Sequence, residues 1–155
     1  MIRISKLADY AVVILSIMAS SDDLLMSAAK LSTVSHVPEP TVSKILKMLS
    51  KGGIIKSTRG IHGGYALCMS PCEVTVEDII YAIDGPVLIT ECANGCNTKC
   101  NLGTGCKMRG RWNGVNQAIR YALSSVSLQS IISDEPKIST RVNGNGDDIV
   151  RVVNA

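Results

Sequence analysis

Apolar residues in the first half of the chain recur at helical spacing, and turn residues separate the runs. Within Met1–Ala19, the residues Leu7, Ala11, Ile14, Leu15 and Met18 fall on one helical face. Val12, Val13 and Ile17 widen that face almost all round, so the predicted helix is buried on most sides. Ser20-Ser21-Asp22-Asp23 ends it. Ser27 is a suitable N-cap for a short helix over Ala28–Val34. After the turn Ser35-His36-Val37-Pro38, a second amphipathic helix spans about Pro40 to Lys51. Val42, Ile45, Leu46 and Leu49 form its inner face, and Gly52-Gly53 stops it. The period then shortens to that of strands at Ile54–Ser57 and Tyr65–Met69, joined by the glycine-rich turn Arg59-Gly60-Ile61-His62-Gly63-Gly64. Thr75 caps a helix over Val76–Asp84, and Gly85-Pro86 breaks it.

From Val87 to Cys106 no periodicity survives, and loops of this length in a small domain are usually functional or disordered. A long helix is predicted from about Lys107 to Ser125. Met108, Trp112, Val115, Ile119 and Leu123, flanked by Ala122 and Val126, form a narrow stripe at nearly heptad spacing, the pattern of a dimer seam. Ser127 caps a last turn, Leu128–Ile132, and a flexible polar tail follows from Ser133. The fold class expected is mainly α with a small β-hairpin: a winged helix-turn-helix domain plus a long dimerisation helix. It divides into a winged domain over 1–86, a cysteine-rich loop over 87–106, dimerisation and terminal helices over 107–132, and the tail over 133–155.

The 155 residues suit one small domain with a dimerisation element. Net charge is only +3, but its distribution is informative. Met1 to Leu67 carries eight Lys/Arg against four Asp/Glu, and Lys107, Arg109, Arg111 and Arg120 follow the last cysteine with no acid before Asp134. Two helices joined by a tight turn place the second in a DNA major groove. On its polar face, Thr41, Ser43 and Lys44 suit base edges, while Lys47 and Lys51 suit phosphate. Arg59 and His62 sit among glycines at the wing tip, where Arg59 could enter a minor groove. Each residue alone also fits an ordinary solvated face; their order along the chain is what points to double-stranded DNA.

Six cysteines would suit a secreted, disulfide-bonded protein if a signal peptide preceded them. Ala11–Ala19 after Arg3 and Lys6 imitates one, but Asp9 stands at its entrance and a DNA-binding pattern follows it. The run is also too short to span a bilayer. The expectation is a cytoplasmic protein with no membrane partner. With no nucleophile–base pair and only two histidines, neither an enzyme nor a small-molecule substrate is expected.

Four cysteines crowd the loop: Cys92, Cys96, Cys100 and Cys106, with three, three and five residues between successive members. Zinc sites usually use two well-separated pairs. A single tight array of soft thiolates in a glycine-containing loop favours iron–sulfur chemistry over zinc, without deciding it. Lys107, Arg109 and Arg111 would lower thiol pKa there. Cys68 and Cys72 read as small structural residues rather than ligands.

The chain resembles the bacterial iron–sulfur transcription regulators of the IscR, NsrR and RirA type, nearest those of SUF-type cluster assembly. The resemblance rests on Arg3-Ile4-Ser5-Lys6 with Asp9-Tyr10-Ala11, Leu49-Ser50-Lys51-Gly52-Gly53-Ile54-Ile55, and the wing Arg59 to Tyr65. Ile83-Asp84-Gly85-Pro86, Thr90-Glu91-Cys92 and Trp112 to Ile119 continue it. It implies a homodimer on a near-palindromic DNA operator, controlling iron–sulfur assembly or iron-homeostasis genes. It also implies a cluster held by three cysteines, here Cys92, Cys100 and Cys106, with Cys96 as the alternative to Cys100. Asp9 matches a carboxylate that some members supply from the partner subunit. Arg109 stands where others have histidine, and Ser43 where others have glutamate, so neither that ligand nor their DNA preference carries over. By resemblance [2Fe–2S] is favoured over [4Fe–4S]. The competing expectations are a zinc-stabilised DNA-binding module without a sensor role, and an electron-transfer protein.

Overall fold

The computed structural model describes residues 3–60, 63–90, 93, 106–108 and 110–133. Helix α1 (Lys6–Ser20) begins later than the apolar periodicity suggests. Ser5 takes the N-cap, its Oγ accepting the Ala8 N–H at 3.1 Å and donating to Asp84 Oδ1 at 2.9 Å. That cap fixes where the chain turns into the helix. Ala8, Ala11, Ile14, Leu15 and Met18 of α1 are buried, whereas Asp9 and Val13 are exposed. The expectation that α1 is covered on most sides therefore holds for one broad face only.

Helix α2 (Ala28–Ser35) starts at the Ser27 cap and ends at His36, which adopts φ 57°. A left-handed non-glycine residue is uncommon, and histidine tolerates it better than most. Around it, Ser32 Oγ donates to the Val37 carbonyl at 2.7 Å and Ser35 Oγ accepts the Val37 N–H at 3.2 Å. This turn delivers the chain into α3 (Glu39–Lys51), with Pro40 in the first turn, where no N–H is missed. Val42, Ile45, Leu46 and Leu49 are completely buried.

Strands β1 (Ile55–Thr58) and β2 (Gly64–Leu67) pair antiparallel, Ile55 opposite Leu67 and Thr58 opposite Gly64. Met26 adds a bridge to Tyr65 through two backbone hydrogen bonds of 2.9 and 3.0 Å. A side chain at Gly64 would place its Cβ 3.0 Å from the Met26 carbonyl oxygen, so the Met26 backbone would have to give by a few tenths of an ångström to admit one. Helix α4 (Val76–Asp84) opens with a full capping box between Thr75 and Asp78.

Helix α5 (Asn113–Ser124) is shorter than the helix expected from Lys107. Gly110 takes φ 72°, which a right-handed helix cannot accommodate, and residues 107–108 and 110–112 run as turns. Beyond α5, Val126 and Leu128 bond to Val76 and Val74 at 2.9 and 2.8 Å, and α6 (Leu128–Ile132) follows. The core sits around α1, which packs against α2, α3, α4, α6 and β2. The tail from 134 to 155 lies outside the described residues.

Candidate functional site

The geometry of α2, the His36 turn and α3 sets one face of α3 inward and leaves the other free. Ser43, Lys44, Lys47 and Lys51 are exposed, and Thr41 is half-buried. Among the described residues none of these lysines is engaged in an ion pair, so each is available to an anion. Arg59 is exposed at the end of β1, on the same hairpin that the Met26 bridge fastens to the body. His62 lies outside the described residues. Gly52 closes α3 where a Cβ would come 2.7 Å from Ala82 Cβ, so the helix end is pressed directly onto α4.

The cysteine loop joins α4 to α5. Of its four cysteines, Cys106 is described, as a half-buried free thiol, and Cys92, Cys96 and Cys100 lie outside the described residues. Asp9 is exposed in the first turn of α1. Among the described residues no group of three or more His, Cys, Asp or Glu side chains converges. The loop entrance is nevertheless firmly set. The Ile89 N–H donates to Asn116 Oδ1 of α5 at 3.0 Å, the Ala93 N–H donates to the Thr90 carbonyl at 3.0 Å, and Ala93 is completely buried. Cys68 and Cys72, read as structural or incidental rather than as ligands, are both exposed free thiols: β2 ends at Leu67, and both lie beyond it.

On the expected dimer seam, Met108, Trp112 and Val115 are 49%, 41% and 47% exposed, Ile119 is half-buried, and Leu123 packs against the core. Arg120 Nε donates to Glu77 Oε1 at 2.6 Å, tying α5 to α4. Sequence reasoning assigned no role to Asn116. The signal was present: Asn116 occupies an inward position of the stripe, one residue after Val115 and four after Trp112.

A family model described as Rrf2, iron-dependent transcriptional regulator, matches residues 4–134. The chain belongs to the Rrf2 family. A protein of Neisseria meningitidis serogroup A, named as an HTH-type transcriptional regulator, is 31% identical over 136 residues, covering 83% of this chain and 86% of that one. The HTH-type transcriptional regulator IscR of Photorhabdus laumondii is 27% identical over 134 residues, covering 86% and 80%. Among solved structures, CymR of B. subtilis, titled a global cysteine regulator, superposes with a TM-score of 0.65 at 23% identity, covering 86% and 98%. As an Rrf2 protein the chain is a DNA-binding transcription regulator of winged helix-turn-helix fold, not an enzyme. Among the described residues no helix is long and apolar enough to cross a membrane.

Proposed function

We propose that this Rrf2 regulator is a cytoplasmic homodimer whose operator binding depends on an iron–sulfur cluster, and that it controls iron–sulfur assembly or iron-homeostasis genes. The observation that carries this reading is the four-cysteine array Cys92–Cys106, strung between α4 and α5, the helix with the uncovered seam. Its donor set fits the group: soft thiolates suit iron, and a buried amide at the loop entrance still has a donor to give. Cys92, Cys100 and Cys106 would hold the cluster, with Cys96 the alternative to Cys100 and Asp9 of the partner subunit the fourth ligand. A [2Fe–2S] core is favoured over [4Fe–4S]. When bound, the cluster would supply a centre that iron shortage or oxidation can remove.

The chain's own residues supply the rest. Thr41, Ser43 and Lys44 meet base edges, Lys47 and Lys51 meet phosphate, and Arg59 and His62 approach the neighbouring groove. Met108, Trp112, Val115, Ile119 and Leu123 hold the two protomers together. Because Asn116 and Ile89 join the loop to α5, a change in the loop changes the seat of that helix. The DNA affinity then differs between the two states by their free-energy difference.

The test compares the visible absorption and iron content of anaerobically purified wild type, Cys100→Ser and Cys96→Ser, followed by operator binding with and without cluster. Coloured, iron-containing wild type, loss of iron in Cys100→Ser alone, and a cluster-dependent footprint are expected. Colourless protein containing zinc would replace the sensor with a zinc-braced DNA-binding module. A footprint indifferent to cluster state would remove the switch and leave the DNA binding.

A further inference from the structure

The wing leaves a cavity of about 530 Å³ between its two strands and the segment that joins α1 to α2. Much of its lining is apolar: Met18 from α1, Leu25 and Met26 from the joining segment, and Ala66 and Leu67 from β2. Met18 and Met26 are buried, whereas Leu24 beside them is 89% exposed. A leucine so exposed at the edge of an apolar hollow leaves both surfaces in water, and an apolar occupant would cover both. A cavity of this volume suits a small organic molecule.

The polar groups of the lining narrow the ligand. Asp23, Lys56, Thr58 and Tyr65 supply them. Asp23 is already engaged: its carboxylate pairs with Lys30 and accepts the Ser21 hydroxyl at 3.0 Å. Lys56 is in no ion pair among the described residues, and the hydroxyls of Thr58 and Tyr65 have no hydrogen-bond partner there. One cation and two hydroxyls therefore remain to be used, and all three can donate. A cationic or uncharged guest would gain nothing from the Lys56 charge. A dianion would carry one charge more than the single free lysine balances. We infer that this cavity binds an amphiphilic monocarboxylate, its carboxylate at Lys56 and its hydrocarbon part against the methionine and leucine side chains. Such a ligand would be an effector and not a substrate. The cavity is lined by both halves of the joint that fastens the wing, Met26 and Tyr65, which exchange backbone hydrogen bonds of 2.9 and 3.0 Å. Occupancy therefore braces the hairpin that carries Arg59. No cysteine lines the cavity, so the inference is independent of the iron–sulfur reading.

Octanoate is the probe, with octanol and octylammonium as controls of equal chain length, each titrated into the whole nitrogen-15-labelled chain. Octanoate should shift the Met26, Lys56 and Tyr65 amides saturably and bind about fivefold or more tighter than either control. Lys56→Gln should weaken octanoate about fivefold and leave octanol unchanged, which a merely structural Lys56 would not do. At octanoate tenfold above its Kd, hydrogen exchange of the Met26 and Tyr65 amides should slow about tenfold, because opening the joint opens the site. Shifts that never saturate, or controls that bind as tightly as octanoate, would overturn the inference. So would Lys56→Gln with full octanoate affinity; loss of DNA affinity in that same variant would assign Lys56 to phosphate instead. Bound octanoate with unslowed exchange at Met26 and Tyr65 would remove the ligand's hold on the wing, and with it the effector role.

Discussion

Helices α3 and α5 are nearly equal in length, at 13 and 12 residues, and both separate apolar from polar positions cleanly. They dispose of their apolar faces differently. α3 hides Val42, Ile45, Leu46 and Leu49 completely against the rest of the chain. α5 hides only Asn116, and leaves Val115 and Tyr121 about half in solvent, with Trp112 at its N-cap. An apolar face satisfied within the chain is architecture. One left open on a helix already anchored by Arg120, Asn116 and the Val126–Leu128 bridge implies a surface meant for another molecule. The same amphipathic pattern thus serves folding in one helix and, we propose, assembly of two copies in the other.

The largest expected effect breaks the α3 side. Leu46→Ala removes a side chain with no exposure and should destabilise the fold by about 2–5 kcal/mol. The melting midpoint should fall by roughly 5–15 °C. The loss should be the same at high and low protein concentration, since the cavity lies inside one protomer. A melting midpoint within a degree of wild type would mean that α3 is not held by this face.

Val115→Glu tests the α5 side and should act in a contrasting way. A carboxylate in the seam of a dimer has no partner among the apolar residues proposed there, and the dimer dissociation constant should rise at least about 100-fold, or ~2.7 kcal/mol. In one protomer Val115 is 47% exposed, so the monomer's own fold should scarcely notice the change. Sedimentation equilibrium across a concentration series reads the difference. An unaltered dimer, or a concentration-independent loss of stability like that of Leu46→Ala, would remove α5 from the interface.

The contrast also explains how much was legible beforehand. α2, α3, α4 and α6 were readable because local chemistry and tertiary burial agree there: Ser27, Thr75 and Ser127 cap as their residue types suggest, and α3 turns inward the residues its period selects. The start of α1 was misplaced because apolar periodicity runs through Ser5, while a single hydroxyl decides the boundary. The start of α5 was misplaced for a related reason. Gly110 is one glycine in a helical pattern, and only its backbone angle shows that the helix has not yet begun there. In the candidate site, the exposure of the α3 lysines was legible because it follows from amphipathicity. Asn116 was legible only as an inward position: a polar residue on an apolar stripe gives no sign, from sequence, of which loop it will hold. The Met26–Tyr65 and Thr75–Ser127 bridges join segments far apart in the chain, which no local pattern reports.

The smallest effect sharpens the α3 side at its surface. Lys30 of α2 forms an ion pair with Asp23, on the segment that leads from α1 into the helix-turn-helix. The hydrogen bond from Lys30, then one from Ser21 and the charge of Lys30, hold the Asp23 carboxyl below its usual value, against a small opposing effect of burial. A depressed carboxylate pKa stabilises the fold above the unfolded-state value, and that contribution is lost as pH falls through the folded one. Both partners are about half exposed, so the effect is small and weakened by salt. Wild type should therefore be slightly more stable than Asp23→Asn at neutral pH. The two should converge as pH drops below about 4, as denaturant melts at low ionic strength would show. A difference that survives at the acid end would mean that Asp23 acts through the shape of its turn and not through its charge. The entry to the recognition helix would then be held, like α3 itself, by packing and backbone geometry alone.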